Sequence, residues 1–286
     1  MSVPAIPTLL WHHWQPVWSL DALAILVSLL YVIGARRVRQ RWPRARTAAF
    51  QAGVACVLVA LQSGWAAFDD RLLSDHMVQH LLLLELAPLL LLAGRPGTLL
   101  LRSLPRGNRR PLARALVRLR PVTHPIVCLS VFYAVVALTH LPLFYDATLR
   151  NSGLHESEHS LYLLAGAFMW WPILDGDPVP GRRLDGIGRL IYVIAAMLPM
   201  TLLGAYLDRA PALLYSAYAA PAHALGISAL VDQQQAGAIM WVLGSTLMVL
   251  AGLWQAMAAL VAEERRLQIR EGRLPEPVLA DRWREP

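Results

Sequence analysis

The sequence predicts an all-α polytopic membrane protein, a single bundle of seven transmembrane helices with its N-terminus outside and its C-terminus in the cytoplasm. Three observations predict it. Of 286 residues, 56% are hydrophobic and 16% charged, with a mean hydropathy of +0.45, too apolar for an ordinary soluble domain. Runs of the ~18–20 apolar residues that span a hydrocarbon core recur near 18–35, 49–68, 73–93, 122–140, 156–174, 187–206 and 236–260. Arginine is the only basic residue, and it crowds into alternate connections.

The first run has no basic residue before it, and Arg36 and Arg37 follow it directly. That is the pattern of a retained helix and not of a cleaved signal peptide. The connection to the second run, "GARRVRQRWPRAR", holds six arginines. The third run, "LLSDHMVQHLLLLELAPLLLLAGRP", opens with two histidines and is followed by eight arginines between Arg95 and Arg120. Within that connection "RRPLARALVRLRP" puts Leu112, Leu116 and Leu119 on one face, an amphipathic helix suited to the membrane surface. The fourth run ends "VVALTHLPLFYD", and the fifth begins "GLHESEHSLYLLAGAFMWWP", with Trp170 and Trp171 read as an interfacial aromatic belt.

Three arginines precede the sixth run and six follow residue 262, whereas the other three connections carry only Arg71, Arg150 and Arg209. Arginine-rich connections lie on the cytoplasmic side, which fixes the orientation. The stretch before the seventh run, "APALLYSAYAAPAHALGISALVDQQQ", is only moderately apolar and is interrupted by Pro221 and Gly226. It reads as an outer connection that folds back onto the bundle. Residues 1–262 then form one membrane domain, and 263–286 a polar cytoplasmic tail.

Several functions are excluded by residue type. With no lysine in the chain, a retinal Schiff base has no anchor. A formal charge of +7 carried by membrane-flanking arginines is not a nucleic-acid footprint. Cys56 and Cys128 stand alone in apolar runs, so dithiol transfer and redox catalysis are not expected.

The orientation brings the histidines together. The third run travels inward, so His76 and His80 lie in its outermost turns. The fourth travels outward and ends at His140, and the fifth starts there again with His155 and His159. Both pairs have H-x-x-x-H spacing, which sets two imidazoles on one helix face about 5–6 Å apart at Cβ and within reach of one metal ion. A single histidine at a helix end is ordinarily an interfacial or hydrogen-bonded core group; five at one depth from three helices are a candidate metal site. Neutral imidazole suits copper, zinc, iron and nickel, and thioether favours cuprous copper. Met77 and Met240 are candidate soft ligands. Asp75, Asp146, Asp232 and Gln233, with Glu156 and Glu158, are candidates to orient the imidazoles. Glu85, ~14 Å deeper at 1.5 Å per residue and half a turn round from His76, reads as a structural carboxyl or a step on an ion path.

At these residues the sequence resembles the CtaG family of seven-helix assembly factors for cytochrome c oxidase of the caa3 type. The matching stretches are "HMVQHLLLLELAPLLLLAGRP", "HLPLFYDATLRNSGLHESEHSLYLLAGAFMWWPILD" and "LVDQQQAGAIMWV". The likeness covers roughly residues 15 to 262. It implies a multi-pass protein of the cell (inner) membrane that matures an oxidase by handling copper, through His76, His80, His140, His155 and His159. Asp232, Gln233 and Met240 follow from the third stretch as orienting groups or a further soft ligand.

The leading reading is therefore a non-enzymatic, copper-binding assembly factor that holds copper, cuprous ahead of cupric, at the outer face. Zinc is expected to bind the same imidazoles in vitro. Expected partners are oxidase subunits or another copper chaperone on the outer side, and the lipid bilayer. Nucleic acid is not one, and homo-oligomerisation stays open. The alternatives are a transporter or channel for copper or protons, and a haem protein with two axial histidines.

Overall fold

A computed structural model describes residues 13–38, 42–174, 176–178 and 184–272. Among the described residues every regular element is helical. The chain runs through α1 (Trp18–Arg37), α2 (Arg44–Gln62), the short α3 (Gly64–Phe68), α4 (Leu73–Leu81), a π-helical segment (Leu82–Leu86), α5 (Ala87–Ala93), α6 (Pro96–Ser103) and α7 (Arg106–Val117). There follow α8 (Pro125–Thr139), α9 (Pro142–Thr148), α10 (Ser152–Ile173), α11 (Gly186–Asp208), a 3₁₀ turn (Ser216–Tyr218), α12 (Ala219–Ala224) and α13 (Ala229–Arg270).

Five of these stretches are long and apolar enough to cross a bilayer: Trp18–Arg37, Arg44–Phe68, Leu73–Ser103, Gly186–Asp208 and Ala229–Met257. A sixth is the bent pair Pro125–Thr139 and Pro142–Arg150, which turns by 72°. The remaining predicted span corresponds to α10, which has the length but begins with His155, Glu156, Glu158 and His159. The described residues are thus all-helical, with five to six candidate spans by length and composition, as in a multi-pass membrane protein. Of the polar tail, residues up to Arg270 continue α13, and 273–286 lie outside the described residues.

The bend has a local cause. Pro142 has no N–H to continue the helix, and its ring disfavours helical backbone in the preceding residue. Leu141 accordingly adopts extended angles (φ −64°, ψ 128°), and His140 is left at the elbow. The third span is also irregular for a reason in its sequence. Pro88 would clash with the carbonyl four residues back, Leu84, and the helix widens there. Ala87 N–H donates to Leu82 O, five residues back, which is the π pattern.

Two close approaches tie the bundle together. Gly166 of α10 lies against Leu84 O, where any Cβ would collide with that carbonyl and come within 2.6 Å of Pro88. Gly204 of α11 faces Gly237 and Trp241 of α13, with only 2.8 Å between its Cβ position and Gly237 O. Small residues at such contacts let helix backbones meet in lipid. Trp170, one turn beyond Gly166, is fully buried. It belongs to the core and not to an interfacial belt, because its helix face is the one pressed onto the third span.

The main core runs from Leu73 and Met77 through Leu84, Phe132, Tyr145, Tyr162 and Trp170 to Met200, Met240 and Met248. A smaller cluster of Tyr31, Trp42, Phe50 and Leu99 closes the other end of α1, α2 and α6. There Tyr31 Oη donates to Gly94 O at 2.6 Å and receives Trp42 Nε1–H at 3.0 Å.

Candidate metal centre at one end of the bundle

Helices α4 and α10 and the α8–α9 elbow bring the five predicted histidines together. His76 and His80 stand edge to face, ring centroids 4.0 Å apart. His155 stacks on His76 at 5.1 Å, and His159 lies 4.3 Å from His155 and 6.0 Å from His80. His140 approaches His80 at 6.4 Å. His76, His80 and His140 are buried, and His155 and His159 partly so.

Hydrogen bonds fix which nitrogens are free. Tyr218 Oη donates to Asp69 O at 2.7 Å and lies 3.0 Å from His76 Nδ1. Its proton being committed, the His76 Nδ1–H is the donor, to Tyr218 Oη and to Asp69 O at 3.2 Å, and Nε2 keeps its lone pair. His140 Nδ1 reaches Val136 O at 2.8 Å, a carbonyl that can only accept, so here too Nε2 is the free base. Nε2 of His76, His80, His140, His155 and His159, and Nδ1 of His80, are buried without a hydrogen-bond partner. Tyr145 Oη and Glu158 Oε2 share that condition. Buried polar atoms are nearly always satisfied, so this many orphaned polar atoms in one place form a set that could hold a cation.

Four tyrosines wall the cluster. Tyr145 has its ring 5.0 Å from His76 and 6.3 Å from His140. Tyr162 packs on His80 at 4.2 Å and donates to Thr139 Oγ1 at 2.6 Å. Tyr215 and Tyr218 come from the connection after α11, which folds back onto the bundle as its sequence predicts. Tyr215 Oη donates to His140 O at 3.0 Å.

Two carboxylates join the histidines. Asp69, Glu158 and the imidazoles form two groups whose ligand atoms all lie within 4.8 Å of one another: Asp69 with His155 and His159, and His76 with His155 and Glu158. Asp69 Oδ2 is 3.8 Å from His155 Nε2. Burial, with the neighbouring Asp70 adding, raises the Asp69 carboxyl to about 7. Asp69 escaped the sequence reading, although "FDDR" sits in the same connection as Arg71 and the depth argument applies to it equally.

The other predicted residues sit further out. Asp232 accepts from Leu73 N–H at 2.6 Å and from the Ser74 hydroxyl at 2.5 Å, capping the first turn of α4. Gln233 Oε1 receives Leu214 N–H at 2.7 Å, and its Nε2 donates to Ala212 O at 3.2 Å, anchoring the tyrosine-bearing connection. Met77 and Met240 lie in the hydrophobic core. Asp75 and Asp146 each keep one buried carboxylate oxygen without a hydrogen-bond partner.

Residues 29–261 match the family model described as the cytochrome c oxidase caa3 assembly factor, Caa3_CtaG. Uncharacterised proteins of Mycobacterium bovis and Mycobacterium tuberculosis are each 29% identical over 284 residues, and one of Mycobacterium leprae 27% over 283. Each alignment covers 93% of this chain and 42% of the relative. The chain therefore spans less than half the length of these relatives. No solved structure matches it.

Proposed function

The chain belongs to the cytochrome c oxidase caa3 assembly factor family, and from that premise we propose that it is a non-enzymatic copper chaperone whose cargo sits in the histidine cluster. The observation that carries this reading is the concentration of orphaned imidazole nitrogens on His76, His80, His140, His155 and His159. Neutral imidazoles in a closed aromatic box suit copper, and cuprous copper accepts two or three such ligands. The surplus of donors lets the ion exchange one imidazole for another, from His155 and His159 at the rim to His76, His80 and His140 beneath, without release as a free ion. Asp69 and Glu158, both buried, add carboxylate oxygens beside His155. Met77, Met240, Asp232 and Gln233 keep the helices and the covering connection in place.

In this reading the seven apolar runs are seven spans of the inner membrane, N-terminus outside, and the cluster opens on the outer face. Two features support it. Each run has its helix, and the two that fall short of a regular span do so through the Pro142 bend and the polar first turns of α10, both of which carry site histidines. An oxidase subunit or a second chaperone would dock from that side. The test is a titration of the purified, metal-free protein with cuprous copper under anaerobic conditions. Stoichiometric uptake is expected, with His76→Ala and His159→Ala binding less; no uptake by the wild type, or normal uptake by both variants, would overturn the proposal.

A further inference from the structure

Deep among its apolar residues the third span carries an ionisable group that the histidine cluster does not use. Glu85 lies in the π-helical segment, is 1% exposed, and both its carboxyl oxygens are buried without a hydrogen-bond partner. It points toward α13, where Gly244 leaves it room: a Cβ there would be 3.0 Å from Oε1. Beside it is a cavity of about 210 Å³ lined by Val78, Leu82, Leu86, Leu243, Gly244 and Leu247. Leu243 is 53% exposed, so the cavity opens on the outer surface of the bundle, where lipid lies.

A lone charge at this depth costs several kcal/mol, and it is the acid form that fits an apolar cavity. That form offers one O–H donor and a carbonyl acceptor, and bilayer core contains no water to satisfy them. The helix irregularity that places the group is of a kind found at functional sites. The complement is an uncharged head with a hydrogen-bond acceptor on an apolar chain. Phospholipid esters stay at the interface, while Glu85 lies ~14 Å along the helix from His76. The head must therefore be one that can leave the interface.

We propose that the groove between the third span and α13 binds the neutral carbonyl head of a single-chain membrane amphiphile, with the Glu85 O–H as its hydrogen-bond donor. A protonated fatty acid and an isoprenoid quinone share this chemistry. The site is separate from the copper reading and does not depend on it.

The experiment uses the full-length protein in phosphatidylcholine nanodiscs and a lipid-soluble fluorescent carbodiimide. This reagent adds a carboxylic O–H across its C=N bond, and the acyl group then migrates to nitrogen, so label stays on any acid reachable from lipid. Labelling at Glu85 is expected, with none at that position in Glu85→Gln. Oleamide, which has the carbonyl head and chain of a protonated fatty acid but no carboxyl to consume the carbodiimide, in one arm and a short-chain quinone in the other should each be tested for protection. The true ligand should slow labelling about fivefold at about four times its dissociation constant. Protection in either arm supports the site and identifies its occupant. Absence of labelling, or labelling that neither amphiphile slows, overturns it. An unfolding temperature of Glu85→Gln equal to that of the wild type serves as the control for folding.

Discussion

The Asp232 carboxylate holds Leu73 N–H at 2.6 Å across 159 residues of chain, joining the start of α13 to the start of the helix that carries His76 and His80. The first N–H groups of a helix have no partner within it, and a carboxylate there also meets the positive end of the helix dipole. Asp232 therefore sets the position of both imidazoles without touching either. Loss of such a cap costs about 1 kcal/mol, whereas asparagine caps nearly as well as aspartate. Asp232→Ala is expected to lower the unfolding temperature and weaken copper uptake, and Asp232→Asn to restore most of both. Equal losses in the two variants would mean that charge, and not the cap, is what matters.

Tyr218 controls a tautomer. Its hydroxyl, committed to Asp69 O, leaves the His76 Nδ1–H as donor, which keeps Nε2 available. Outer partners of this kind typically contribute 10- to 100-fold, on the order of 1–3 kcal/mol, to metal affinity. Tyr218→Phe keeps the ring in its buried place and removes only the hydroxyl. Copper affinity is expected to fall by about tenfold or more with little change in the unfolding temperature of the metal-free protein. Unchanged affinity, measured by competition with a cuprous chelator, would show that the Asp69 carbonyl alone suffices.

How much of this was legible in the chain follows from what carries each signal. Arginine alternation gives depth, and depth alone was enough to gather His76, His80, His140, His155 and His159, because each lies at the end of an apolar run. The tyrosine walls were not legible. Tyr215 and Tyr218 reach the site only because their connection folds back, held by Gln233, and hydrogen bonds between distant segments leave no periodic trace. Asp232 and Gln233 were marked as orienting groups, but through the helix start and the connection they hold, not through an imidazole, and that distinction lives in tertiary contacts. The bend at Pro142 was written in "HLPLF". The π widening needed Pro88 to be read against the carbonyl of Leu84.

Asp69 gives the metal-free protein a pH dependence of definite sign. Its folded value of about 7 lies above the ~3.9 of an unfolded aspartate. The folded state thus binds this proton more tightly, so its contribution is full below about pH 4 and is lost as pH rises toward about 7. Asparagine has no proton to lose. The unfolding temperature of the wild type, relative to Asp69→Asn, is expected to fall between pH 5 and 7 and to level off above. Parallel profiles would place the Asp69 carboxyl in the ordinary range.

Gly166 tests whether the π segment is held by its neighbour. An added methyl would collide with Leu84 O and press on Pro88, so α10 would have to back away from the third span. Overpacking of this kind costs typically 1–3 kcal/mol. The displacement would also carry His155 and His159 away from His76 and His80, since both pairs ride on the two helices involved. Gly166→Ala is therefore expected to lower the unfolding temperature and weaken copper uptake together. Gly153→Ala, on the exposed start of the same helix, should change neither. If Gly166→Ala destabilises the fold yet binds copper as the wild type does, the two helices keep their spacing at the cluster by contacts other than this one.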